Sequence, residues 1–274
     1  PLLPLFAAEF ELSATASSLA MSVTTGMLAV AMLVASSLSD VWGRKPVMVV
    51  SLLASALLTL TAALAPSWTT LVLLRALLGL ALSGLPAVAM AYVGEEMHPK
   101  SIGLAMGLYI SGSSLGGMGG RLLTGILVDF VSWRMALATL GGLCLVAAIV
   151  FWRSLPPSAL FRPRPLHAGE LLVRGLELFR DRGLPWLFLQ GFLLMGSFVT
   201  IFNYVGFRLL APPFGLSQTV AASIFAVYLV GTVSSAVVGT LAGRLGRRRL
   251  LWAMILLMLT GPPASASPTH TGSA

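Results

Sequence analysis

Charge is the scarcest commodity in this sequence. Only 9% of its 274 residues are Asp, Glu, Lys or Arg, against about a quarter in an ordinary soluble domain. A water-facing surface cannot be built from so few charges, whereas a lipid-facing one needs almost none. Cysteine is nearly absent: Cys144 stands alone in an apolar run, which excludes a disulfide framework or a cysteine-rich metal cluster. His98, His167 and His270 are the three histidines and share no helical face, so no metal or cofactor is expected. The nine acidic residues all fall outside the apolar runs. Convergent nucleophile, base or metal groups, which catalysis in a membrane would need, are missing, and the chain reads as a non-enzyme.

What remains is apolar: 57% of residues are hydrophobic and mean hydropathy is +0.93. A membrane helix needs about 20 mostly apolar residues. Runs of that kind lie near 15–37, 47–65, 69–93, 101–127, 133–152, 184–207 and 217–241. Residues 1–10 resemble the end of an earlier helix and 250–260 the start of a later one, so both ends read as truncations. The predicted fold class is an all-α integral membrane bundle.

The connecting loops alternate in charge. Arg44 and Lys45, Lys100, the arginines between 153 and 182, and Arg244 to Arg249 fall in one set; the intervening loops carry few bases. That bias places the basic set on the cytoplasmic side of a multi-pass membrane protein, and it argues against nucleic acid as the partner of the +8 net charge. All six tryptophans fall at span ends, as an interfacial aromatic belt requires. The polar stretch 153–183 is expected to carry a surface helix, with Glu170, Arg174, Glu177 and Asp181 opposite Leu172, Leu176 and Phe179. A small, polar, Pro-rich tail over 262–274 is expected to be disordered.

Two loops of the basic set echo each other. Ser36-Ser-Leu38-Ser-Asp40-Val-Trp-Gly43-Arg44-Lys45 and Gly239-Thr-Leu241-Ala-Gly243-Arg-Leu-Gly246-Arg247-Arg248 repeat Leu, Gly and two bases at one spacing. Equivalent loops of this kind imply a duplicated bundle. The glycine allows a sharp turn between antiparallel helices, and the bases hold the loop on an anionic face. Asp40 is placed to pair with a basic partner as a conformational latch; bases that serve topology alone are the other reading.

The loop resembles the signature of the major facilitator superfamily, G-x-L-a-D-r-x-G-R-[R/K], with Ser36 in place of the first Gly and Gly243 in place of the second Asp. The stretches YVGEEMHPKSIGLAMGLYISGSSLGGMGGRLLTG and DRGLPWLFLQGFLLMGSFVTIFNYVGFRL resemble the YnfM-like group of that superfamily, often classed with sugar or drug efflux permeases. The resemblance covers most of residues 1–250. It implies twelve helices in two six-helix halves with alternating access to a central cavity. Residues 1–152 would then run from the end of family helix 1 to helix 6, 153–183 would be the cytoplasmic linker, and 184–261 would hold helices 7, 8 and part of 9.

Arg75 is the one charge deep in a span, roughly 9 Å below the outer surface. The element Arg75-Ala-Leu-Leu-Gly79 resembles the family's R-x-x-q-G on helix 4, which points Arg75, Gly79, Ser83 and Met90 at the cavity. Arg75 would attract an anionic substrate or hold down the pKa of a proton-carrying carboxylate; a snorkelling Arg is the alternative. Gln190, Ser197, Thr200 and Tyr204, with Asn203 nearby, form a second candidate substrate face. Gly112, Gly116 and Gly120 are spaced for close helix packing and loosely resemble the antiporter element G-x-x-x-G-P-x-x-G-G, without its Pro. Arg121, Asp129 and Arg134 are expected to form an outer charge cluster, and Glu95 or Glu96 to pair with Arg44.

These residues imply transport of a small solute by alternating access, with efflux driven by protons inherited from the resemblance. The partners would be the lipid bilayer, the solute and protons, with no obligate protein partner. A fragment without activity, or a membrane-embedded sensor or receptor, are the competing readings.

Overall fold

The structure is a computed structural model that describes residues 2–98, 101–158, 161, 180, 183–227, 229–230, 252–253 and 255–257. Residues Pro1–Phe225 form one compact unit, and Ala226–Ala274 a second. Among the described residues no strand occurs. The first unit contains α1 (Leu2–Glu9), α2 (Ala14–Trp42), α3 (Arg44–Ala62), α4 (Trp68–Leu82) and α5 (Pro86–Glu96). It continues with α6 (Ile102–Phe130), α7 (Trp133–Ser154), α8 (Leu184–Leu210) and α9 (Gln218–Ser223), after which a 3-10 turn spans Ile224–Ala226. The described part of the second unit is helical wherever an assignment exists beyond that turn.

Among the described residues five helical stretches are long and apolar enough to cross a membrane: α2, α3, α4 with α5 as one stretch, α7 and α8. α6 has the length, about 43 Å at 1.5 Å per residue, but is not among the five. Its eight glycines, five of them between Gly112 and Gly120, dilute the hydropathy that the sequence reading credited to it. The run expected over 217–241 begins as α9 and the 3-10 turn; residues 231–241 lie outside the described set, as do residues 162–179 of the stretch expected to carry the surface helix, and the tail.

Helix starts at the two ends of the bundle differ. At the end away from Arg44, serines stand at the N-cap of α2, α4, α7 and α9: Ser13, Ser67, Ser132 and Ser217 each accept a backbone N–H three residues on, at 3.1–3.3 Å. Each such bond satisfies a donor that the first helical turn leaves open. The starts of α3, α5, α6 and α8 have no side-chain cap.

The expected single helix over 69–93 is two helices. Pro86 at the start of α5 has no N–H to give, which removes a backbone bond at the junction; Ser83–Leu85 form a turn in which Leu85 keeps right-handed helical dihedrals. Gly84 in that turn presses on α3: a Cβ there would lie 2.1 Å from Ser51 Oγ.

α2 packs on α4, and α3 lies between α4 and α7. The contacts are close because small residues meet backbone. A Cβ on Gly79 would stand 2.2 Å from the Thr24 carbonyl oxygen of α2, and one on Gly141 3.0 Å from the Leu60 nitrogen of α3. Two buried clusters seal the ends of this bundle. Phe6, Leu71, Trp133 and Leu137 pack at one end, with Phe6 edge-on to Trp133 at 5.1 Å; Val47, Met48, Val88 and Tyr92 pack at the other. Outward faces stay apolar, as at Leu33, Val50, Leu73 and Val146, which suits a hydrocarbon solvent.

Candidate functional site

The α2–α3 turn is the best-ordered polar feature at the basic end. Gly43 joins the two helices at φ 97°, and its N–H donates to Ser39 O at 3.1 Å. A side chain at that φ would be strained, which accounts for glycine there. Arg44, 8% exposed, follows at once. Its Nη2 and Nε donate to the two oxygens of Glu95 at 2.6 and 3.1 Å. Its Nη1 lies 2.6 Å from Asp40 Oδ1 and also donates to Ser39 Oγ. Lys45 Nζ donates to the Leu155 carbonyl at the end of α7, and Tyr92 Oη to Pro156 O at 3.1 Å.

This turn therefore ties α2, α3, α5 and the end of α7 together. The Arg44 partner left open between Glu95 and Glu96 is Glu95. Asp40 pairs within its own turn. The second copy of the loop, with Gly239, Gly246, Arg247 and Arg248, lies outside the described residues.

At the opposite end, the expected cluster of Arg121, Asp129 and Arg134 is not assembled. Arg134 pairs with Glu9, donates to Ala65 O at 3.2 Å and stacks on Trp133. Glu9 also accepts from the Trp133 indole N–H. These bonds, that of Trp133 first, hold the Glu9 carboxyl below its usual pKa. Asp129 instead accepts the backbone N–H groups of Gln218 and Thr219 at 3.0 and 2.8 Å, which clamps α6 to the start of α9. Gly125, one turn earlier on α6, makes the contact possible, since a Cβ there would meet Ala222 Cβ at 2.3 Å. Arg121 donates to Gly117 O at 3.1 Å and lies over the Phe225 ring.

Between these ends lies a cavity of about 610 Å³ walled by α1, α2, α4, α6, α8 and α9. Arg75 and Arg121 line it, with Thr24, Thr124, Phe202 and Gln218 among the others. Arg75 Nε and Gln218 Oε1 are buried there without hydrogen-bond partners.

Several expected site residues go elsewhere. Gly79 packs on α2, and Ser83 is 3% exposed with its hydroxyl given to Leu80 O. Neither lines the cavity, nor does Met90, which is 41% exposed. Gln190, Ser197 and Tyr204 are also absent from the lining; Tyr204 is 61% exposed and accepts from Arg208 at 3.3 Å. α8 offers the cavity Phe202, Phe207 and Leu210 instead.

Gly112, Gly116 and Gly120 pack against none of the described residues: a Cβ on any of them would meet open space there. Gly116 and Gly120 line the cavity, so their missing side chains leave room there rather than bring helices together. Sequence reasoning missed Thr24, Thr124, Gln218 and the Glu9 pair. The serine caps before α4 and α9 were a usable signal for where those helices begin, and hence for Gln218.

The family model described as Major Facilitator Superfamily matches residues 1–274. Over 247 residues the chain is 49% identical to the inner membrane transport protein YnfM of Escherichia coli strain K12, covering 90% of this chain and 59% of the relative. It is 47% identical over 261 residues to the uncharacterized MFS-type transporter YybF of Bacillus subtilis strain 168, covering 95% of this chain and 65% of the relative. An uncharacterized transporter of Buchnera aphidicola from Acyrthosiphon pisum is 43% identical over 260 residues, covering 95% of this chain and 63% of the relative. The chain thus spans about three-fifths of the length of these curated relatives.

Proposed function

The chain belongs to the Major Facilitator Superfamily, a family of membrane transporters, and on that premise we propose that it carries a small solute by alternating access through the cavity at Arg75. In this reading the basic end faces the cytoplasm of a bacterial inner membrane. Residues 1–152 form the first helical half, 153–183 the linker, 184–261 part of the second half and 262–274 a tail. The observation that carries the reading is the cavity itself. It holds buried, unsatisfied polar atoms at Arg75 and Gln218, and in this reading the Asp129 clamp of α6 on α9 acts as its closure.

Such a closure is a gate in the sense that α6 and α9 need only separate at Gly125 to open it. The Asp40–Arg44–Glu95 network is the complementary element at the basic end, a rigid turn about which the helices rock. We further propose that movement is outward and exchanged for protons. That direction follows the efflux group the sequence resembles. Any proton-carrying carboxylate stands at a helix end or outside the described residues, because none lines the cavity.

The test uses the product of the full reading frame in inverted vesicles energised with a proton gradient. Solutes of anionic, cationic and neutral classes are added in turn. Protein-dependent uptake of one class, with partial collapse of the gradient, is the expected result. Solute movement that ignores the gradient would remove proton coupling; no movement of any class would remove transport.

A further inference from the structure

Resting on that transport reading, we infer that the cavity takes a soluble amphipathic organic anion that also carries hydroxyl or N–H donors, with Arg75 and Arg121 as its anion-recognising residues. Charge is the first argument. Among the described residues two arginines line the cavity and no carboxylate does. Among the described residues Arg75 forms no ion pair, and its Nε has no hydrogen-bond partner. Four acids of the described residues are engaged elsewhere: Asp129 on the α9 backbone, Glu9 on Trp133 and Arg134, and, at the basic end, Asp40 and Glu95 on Arg44. A cation held in a low-dielectric wall without a counter-charge repels a second cation and favours an entering anion.

The neutral groups narrow the ligand further. Thr24 and Thr124 spend their hydroxyl protons on the Ala20 and Gly120 carbonyls, at 2.8 and 2.6 Å. What they offer the cavity is lone pairs. Gln218 Oε1 is likewise an acceptor without a donor. A ligand that satisfies this wall brings donors of its own beside its acid group. Phe6, Phe202 and Phe225 complete the lining, so part of the ligand is apolar. The volume of about 610 Å³ falls within the roughly 300–1,000 Å³ of small-molecule sites.

Carboxyfluorescein and rhodamine 123 share a xanthene frame and differ in the sign of their charge, and the former carries a phenolic hydroxyl. Fluorescence anisotropy of each dye is read against the product of the full reading frame in a neutral detergent. Saturable binding of carboxyfluorescein, uncompeted by rhodamine 123, is expected. Arg75→Gln and Arg121→Gln should each weaken it about tenfold or more, with Arg75→Lys recovering part of the loss. Arg153→Gln, at the exposed end of α7, should leave it unchanged.

Thermal unfolding of each variant separates lost binding from lost fold, and the Arg121 variant carries the test should the Arg75 variant not fold. Failure of carboxyfluorescein to bind, preference for rhodamine 123, or equal displacement by phosphatidylglycerol would overturn the soluble-anion site. Vesicle transport of the two dyes keeps the outcomes apart. Anion binding without movement sinks the transport reading and spares the site, while movement of the cationic dye alone does the reverse.

Discussion

Arg44 and Arg75 sit on adjacent helices of one bundle and meet opposite surroundings. Arg44 is closed in by Glu95, Asp40 and Ser39, and every arm of its guanidinium has an acceptor. Arg75 lines a cavity with no carboxylate in its wall and keeps a buried nitrogen unsatisfied. The first arrangement holds helices in place. The second leaves free energy stored for whatever enters. Residue type is the same in both; the difference between a structural and a receptive arginine lies in which partners the fold brings to it.

The sharpest way to break this comparison is to remove each charge. Arg44→Gln should leave Glu95 and Asp40 without their cation and destabilise the protein by about 3 kcal/mol, the low end for a broken buried pair because both carboxylates are partly exposed. Arg75→Gln should leave stability unchanged or raise it, since it deletes a charge that has no partner to lose. Thermal unfolding in detergent reads both. A loss of stability at Arg75 as large as that at Arg44 would contradict the distinction.

The glycines extend the same contrast. Gly79→Leu forces a side chain onto the Thr24 carbonyl and should cost about 1–3 kcal/mol by overpacking. Gly116→Ala points into open space and should raise stability by about 0.5–1 kcal/mol through helix propensity, while narrowing the cavity and weakening solute binding. A comparable stability loss in both would mean that α6 packs more closely than described.

Acid should act on Glu9. Its carboxyl titrates below the usual range when bonded to Trp133 and Arg134. Its bonds therefore contribute fully above about pH 4.3, the ordinary Glu value, and are lost as pH falls through the lower folded-state value. Trp133 fluorescence should shift over that acid range, and Glu9→Gln should remove the transition. The smallest effect is expected at Asp40. Its side chain is 38% exposed and its partner Arg44 keeps Glu95, so Asp40→Asn should cost about 0–1 kcal/mol.

Much of the bundle was readable from residue order alone. The apolar runs and end-placed tryptophans located the helices, and the Gly43-Arg44 turn located the junction of α2 and α3. Pro86 was visible, yet the break before it was not drawn, because an apolar run of that length reads as one span. The glycines of α6 could not be interpreted, since one spacing serves both a close contact and an open wall. Which it is depends on whether a neighbour such as Thr24 or Ala222 comes opposite. Asp129 and Gln218 are 89 residues apart, and no local pattern joins them; the same distance hid the α8 face that reaches the cavity.

The measurement that bears most directly on the account is charge-selective thiol labelling at Gly120→Cys, in a background where the exposed Cys144 is replaced by Ser. Sulfonatoethyl and trimethylammonioethyl methanethiosulfonate carry opposite charges on similar frames. The account predicts that the anionic reagent gains on the cationic one, relative to their rates with a free thiol. It also predicts that Arg75→Gln removes the gain. Equal relative rates that ignore Arg75, or a cysteine that neither reagent reaches, would contradict a solute pathway organised around that charge.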